Sequence, residues 1–152
     1  MFEEEHYGIT IKKDGSWLHD GAPITRHNLV KLFASVLSKD AKGDYWLRTP
    51  AERGRIVVED APFVAVEMTV DTPGTEQSLR FRTNVDDWVT LSPEHPLRVA
   101  PGIEPAPYIM VRDGLEARIA RPVYYDLANM AVPVDGRLGV YSAGNFFALE
   151  AA

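Results

Sequence analysis

Cysteine is missing from all 152 residues, which removes disulfides, thiolate nucleophiles and every zinc site that needs a thiolate, and fits a reducing compartment. Long apolar runs are missing too: nowhere do about 20 apolar residues stand together. The acidic start MFEEEHYGITI holds no apolar stretch of signal-peptide length. The expectation is a cytoplasmic protein with no membrane partner. Positive charge is in short supply, with 22 acids against 16 bases and a net charge of −6, and both halves are negative. Wholesale binding to a phosphate backbone is therefore disfavoured, and no nucleic-acid partner is expected. Lysine is absent from the second half: all five lysines precede residue 43, and the seven bases of residues 77–152 are arginines. Arginine suits planar, bidentate pairing with carboxylate or phosphate.

What is present reads as mixed α and β structure. In 25-TRHNLVKLFASVLSK-39, Leu29, Val30, Leu32, Phe33, Val36 and Leu37 recur at helical spacing. Thr25 is placed to cap this helix and Gly43 lies just past its end. Before it, GITIKK and SWLH flank Asp14-Gly15, a dipeptide suited to a two-residue hairpin turn. After it come strand-like runs at DYWLR and at residues 55–58, 63–70, 78–83, 87–91, 96–99 and 107–112. Runs 63–70 and 78–83, joined by TPGTEQ, read as a long hairpin, with Val64, Val66, Met68 and Val70 on one apolar face. Leu79, Phe81 and Thr83 alternate with Arg80 and Arg82, so the arginines of LRFRT read as the solvent side of a strand. The proline-rich APGIEPAP marks the expected boundary between a unit of residues 1–100 and one of residues 101–152.

Residues 109–121 repeat the pattern of residues 11–26: Asp14-Gly15 lies over Asp113-Gly114, and Ile24-x-Arg26 over Ile119-x-Arg121. A second helix, RPVYYDLANMA, follows with Pro122 suited to its first turn, and then a glycine turn and a strand in GRLGVYSAG. An internal duplication is expected. It puts an arginine at a helix entrance twice, although the partial positive charge of a helix N-terminus disfavours a cation there. Two compensations are open: internal acids such as Glu52, Glu59, Asp60 or Asp126, or a bound anion.

The motifs DGSWLHDGAPITR, LVKLFASVL, TPAE, VEDAPFVAVE, RFRTNVDD, PAPYIMVRDGLEARIARPVYYDL and VDGRLGVYS resemble the bacterial family called domain of unknown function 1285, over about residues 8–149. The resemblance implies a proteobacterial, two-part α+β architecture with related motifs. It implies no activity, substrate or catalytic residue. The chain begins almost directly at its first strand, where a leading segment is expected, and Ala51 stands where valine is more typical.

Catalytic patterns are sparse. The histidines, His6, His19, His27 and His95, lack metal-ligand spacing, and His19-Asp20 reads as an exposed turn. GVYSAGN lacks the glycine two before its serine that a nucleophile elbow needs, so Ser142 reads as structural, and no dinucleotide or phosphate-loop glycine pattern occurs. Neither metal nor cofactor is expected. Of Tyr124 and Tyr125, only one can face inward from a helix.

The fold expected is α+β: two related hairpin–helix–strand units with curved or barrel-like antiparallel sheets and one main helix each. The function expected is non-catalytic binding of a small anionic ligand, in a sensory or signalling role, at a cleft between the units. Arg26, Arg118 and Arg121 would hold the anion, Tyr125 would pack on it, and Glu52 and His95 are further candidate site residues. A hydrolase-type enzyme built from His95, Asp87 and Glu52, or an interaction module with a protein partner or second copy, are the alternatives.

Overall fold

The computed structural model describes residues 4–72 and 76–150, so the centre of the expected TPGTEQ loop lies outside the described residues. The chain divides into two compact units at Pro62/Phe63, with residues 113–115 grouping with the first. The proline-rich stretch lies inside the second unit, where residues 101–105 connect two neighbouring strands and Ala106 and Pro107 begin the second of them.

The first unit runs β1 (Glu4–Ile11), β2 (Trp17–His19), β3 (Ala22–Pro23), α1 (His27–Ser35), β4 (Leu37–Lys39), β5 (Tyr45–Arg48) and β6 (Arg53–Val58). These strands make one curled sheet in the order β3-β2-β1-β6-β5-β4. Every pair is antiparallel except β1 with β6. That parallel pair follows from the connection: a hairpin, a helix and a meander intervene, which is the long crossover a parallel pair requires. Helix α1 buries Val30 and Ala34, and Trp17 stacks on Phe33 with ring centroids 6.4 Å apart. Ile9, Ile11, Leu37, Leu47 and Ile56 complete this core. Each fully buried aliphatic side chain contributes about 1.5–3 kcal/mol.

The helix is shorter than its apolar spacing suggests. It ends at Ser35, Val36 caps it, and Leu37 begins β4, paired with Leu47. Leu37 stays buried, but from a strand, so one stretch of apolar residues serves two elements in turn. Gly43 consequently belongs to the β4–β5 turn rather than to the helix end, and the N-cap is Arg26 rather than Thr25. At Asp14-Gly15 the hairpin loop is one residue longer than expected. The Lys12 N–H donates to Ser16 O at 2.8 Å and the Gly15 N–H donates back to Lys12 O at 3.0 Å.

The second unit runs β7 (Phe63–Asp71), β8 (Ser78–Thr83), β9 (Trp88–Thr90), β10 (Leu97–Ala100), β11 (Ala106–Arg112), β12 (Leu115–Ile119), α2 (Arg121–Met130), β13 (Val132–Val134), β14 (Arg137–Ser142) and β15 (Asn145–Ala148). Its six-stranded sheet has the order β10-β11-β12-β7-β8-β9, with β12 parallel to β7, and β13-β14-β15 form a separate sheet. Hairpin, helix and three-stranded meander therefore occur in both units. In the first the meander joins the main sheet; in the second it stands alone. The second Asp-Gly turn, Asp113-Gly114, has positive φ at both residues (48° and 79°), the two-residue form.

The β7–β8 hairpin forms as expected, but its core face changes along β7. Ala65 pairs with Thr83 and Glu67 with Arg82, so Val66 is an extra residue. This bulge exposes Val66 and moves the inward positions from Phe63 and Ala65 to Met68 and Val70, opposite the buried Phe81 and Leu79. Ser142 is structural: its buried hydroxyl donates to Leu91 O at 2.7 Å and accepts from Leu79 N–H at 2.9 Å, tying β14 to β8.

Candidate functional site

A cavity of about 330 Å³ opens in the first unit between α1 and the sheet. Its walls are apolar: Ile9 from β1, Ile24, Leu29 and Phe33 from α1 and the residues before it, Val36 at the helix end and Leu47 from β5. Four side chains capable of hydrogen bonding join them: Tyr7, His19, Thr49 and Glu52.

The local chain explains this arrangement. Alternation aims Tyr7, Ile9 and Ile11 to one side of β1. Against β6, however, β1 advances four positions, from His6 to Thr10, where β6 advances two, from Arg55 to Val57. Gly8 absorbs the excess with φ of 68°, and a Cβ there would collide with the Asp20 carboxyl group. An even excess keeps the alternation intact while bunching Tyr7 and Ile9 against one stretch of β6. The Tyr7 ring then lies across Gly54, the residue of β6 with no side chain to obstruct it. Bulges of this kind recur where a strand must aim a side chain at a site. On the opposite wall, the Arg26 carbonyl accepts the Leu29 and Val30 N–H groups and starts the helix that brings Leu29 and Phe33 over the sheet. Thr49 and Glu52 hold one another across the β5–β6 turn, with the Thr49 N–H donating to Glu52 O at 2.8 Å. His19 stands 3.5 Å from the Asp20 carboxylate.

Of the residues singled out in the sequence, Glu52 lines this cavity. Arg26 caps α1 with its backbone, is exposed, and shows no ion pair among the described residues. The others belong to the second unit. Arg121, the first residue of α2, meets an acid that the sequence did not suggest: Nη2 lies 3.1 Å from Glu104 Oε2, with both side chains more than two-thirds exposed. Arg118 stands over the Tyr108 ring at 5.5 Å. Tyr125 faces solvent at 58% exposure, while its neighbour Tyr124 turns in and donates to Leu149 O at 2.9 Å; burial and then Glu150 raise the Tyr124 pKa. His95 is held in a turn, with Nδ1 3.0 Å from Met110 O, and Asp87 closes the β8–β9 turn on the Thr83 hydroxyl. Tyr7 and His19 were missed as site residues. An early glycine inside a strand pattern, Gly8, is the signal that marked them.

Among the described residues no group of three metal-ligating side chains occurs, and no helix is long and apolar enough to cross a membrane.

The architecture is that of a two-unit α+β protein whose units share a hairpin–helix–meander plan. The chain belongs to the DUF1285 family: residues 3–61 match its N-terminal domain, described as a domain of unknown function, and residues 62–149 match its C-terminal domain. The crystal structure of a DUF1285 family protein from Silicibacter pomeroyi DSS-3 is similar at TM-score 0.92 and 40% identity, over 99% of this chain and 83% of that one. One from Shewanella baltica OS155 is similar at TM-score 0.63 and 26% identity, over 80% and 91%. Comparison with curated proteins finds no match.

Proposed function

We propose that the first unit binds a small molecule with an apolar body and a hydrogen-bonding head, and that the protein acts as a non-catalytic binding or sensory module. The observation that carries this reading is the cavity itself. At about 330 Å³ it lies in the range of small-molecule sites, and its composition is theirs: apolar walls with a few polar groups that orient the guest. The bulge at Gly8, which places Tyr7, adds support, because an irregularity in a central strand pair costs ladder hydrogen bonds and needs a local reason. The expected anion site is a separate matter. Arg26 and Arg121 start helices of different units, and Arg121 already holds Glu104.

A homologous series of alkanols from 1-pentanol to 1-nonanol tests the reading. Each methylene buried adds about 0.8 kcal/mol, so affinity should rise about fourfold per carbon until the cavity is full, and then level off. Leu29→Trp, which places an indole in the cavity, should abolish the binding while keeping the fold by circular dichroism. Absence of binding across the series, or equal binding to Leu29→Trp, would refute the proposal.

A further inference from the structure

The other face of the same sheet carries a different chemistry. Along β5, Trp46 and Arg48 point away from the side that Leu47 lines; along β6, Arg53 and Arg55 point away from the side where Tyr7 covers Gly54. Arg48 and Arg53 are direct cross-strand partners, and Arg55 is the partner of Trp46. Arg53 and Arg55 both stand over the Trp46 indole, their guanidinium carbons 4.6 and 4.9 Å from the ring centre.

Three guanidinium groups on adjoining positions of one face repel one another, and like charges directly opposite across two strands are destabilising. Two compensations are visible among the described residues. Asp44 lies 3.6 Å from Arg55, and the indole π face offsets some of the charge on Arg53 and Arg55. Arg48 is exposed, with no acid against it among the described residues. The Nε of Arg53 is buried without a hydrogen-bond partner, a costly state for a charged group. Two guanidinium groups directly opposite one another, with no acid against the exposed one among the described residues, make an arrangement that an oxyanion relieves.

We infer that Arg48 and Arg53, steadied by Trp46 and Arg55, form a binding site for a phosphate monoester on the sheet face opposite the cavity. A phosphate dianion matches the cluster better than a carboxylate: it brings up to two negative charges and three acceptor oxygens, against paired donors on each guanidinium. The site is independent of the cavity, since the two occupy opposite faces of one sheet.

The test is calorimetric titration of the full chain with inorganic phosphate, phenyl phosphate and succinate at constant ionic strength set with sodium chloride. Both phosphates should bind, succinate at least tenfold more weakly. Arg48→Ala, which leaves the arginine–tryptophan stack intact, should weaken phosphate at least tenfold without lowering the melting temperature. Arg53→Gln should abolish it. Phosphate binding undiminished in both variants, or absent from the wild type, would overturn the inference.

Discussion

The Tyr7 ring lies against the α-carbon of Gly54, so closely that a Cβ built on the glycine would come within 3.0 Å of three ring atoms. The two residues sit on parallel neighbours, β1 and β6, and the bulge at Gly8 brings them together. Gly54→Ala should force the ring out of place, at a cost of about 1–3 kcal/mol for overpacking a fitted interior. Adding Tyr7→Ala should recover much of that loss, a non-additivity expected of residues in contact. Denaturant midpoints of the two single variants and the double variant check this.

Ser142→Ala should be costly for so small a change. The hydroxyl serves a donor and an acceptor at once, and its loss leaves the Leu79 N–H and the Leu91 carbonyl unpaired in the core. A buried polar group left unsatisfied costs about 1–3 kcal/mol. Amide exchange should show the loss first as reduced protection at Leu79.

Arg121→Ala should change stability by less than about 1 kcal/mol, because its pairing with Glu104 is exposed on both sides and screened by water and salt. Thermal melts at low and high salt provide the check. A large destabilisation would show that the arginine has a structural role which the Glu104 pair does not explain.

The acid limb of stability should depend on Asp40. Its carboxylate accepts the Trp46 indole N–H at 2.9 Å and the Asp44 and Lys42 backbone N–H groups at 2.9 Å, and these bonds hold its pKa below the usual carboxylate value, the indole contributing most. A folded-state pKa below the unfolded one gives stability that is present above the unfolded value, about 3.9, and is lost as pH falls through the folded value. Melting temperature should therefore fall on acidification below about pH 4 in the wild type, and fall less steeply in Asp40→Ala. Parallel curves for the two proteins would show that Asp40 contributes nothing to the acid limb.

The sequence made the element types and the two-part plan legible, because both helices and most strands carry periodic apolar positions. Val123 and Leu127 are buried where the spacing of α2 puts them, and Leu79, Phe81 and Thr83 face inward as alternation requires. What it hid were changes of period within a single apolar run. Val36 and Leu37 continue the helical stripe of α1 but leave the helix, since Leu37 gains a cross-strand partner in Leu47 that outweighs one more helical turn. Val66 breaks the alternation of β7 with no turn residue to announce it. Strand order was hidden as well, because β1∥β6 and β12∥β7 join residues far apart in sequence. The cavity was illegible for the same reason: Ile9, Leu29 and Leu47 meet only once that order is set. Glu52 was singled out for its charge and Tyr7 was overlooked, since only the long-range pairing of β1 with β6 lays its ring on Gly54.

The most direct test of the cavity as a binding site is a methyl-resolved NMR titration of the full chain with 1-octanol. The account predicts saturable shifts confined to the methyl groups of Ile9, Ile24, Leu29, Val36 and Leu47, with Ile119, Leu127 and Val140 of the second unit's core as unmoved controls. Shifts that never saturate, or that spread equally over the controls, would contradict it.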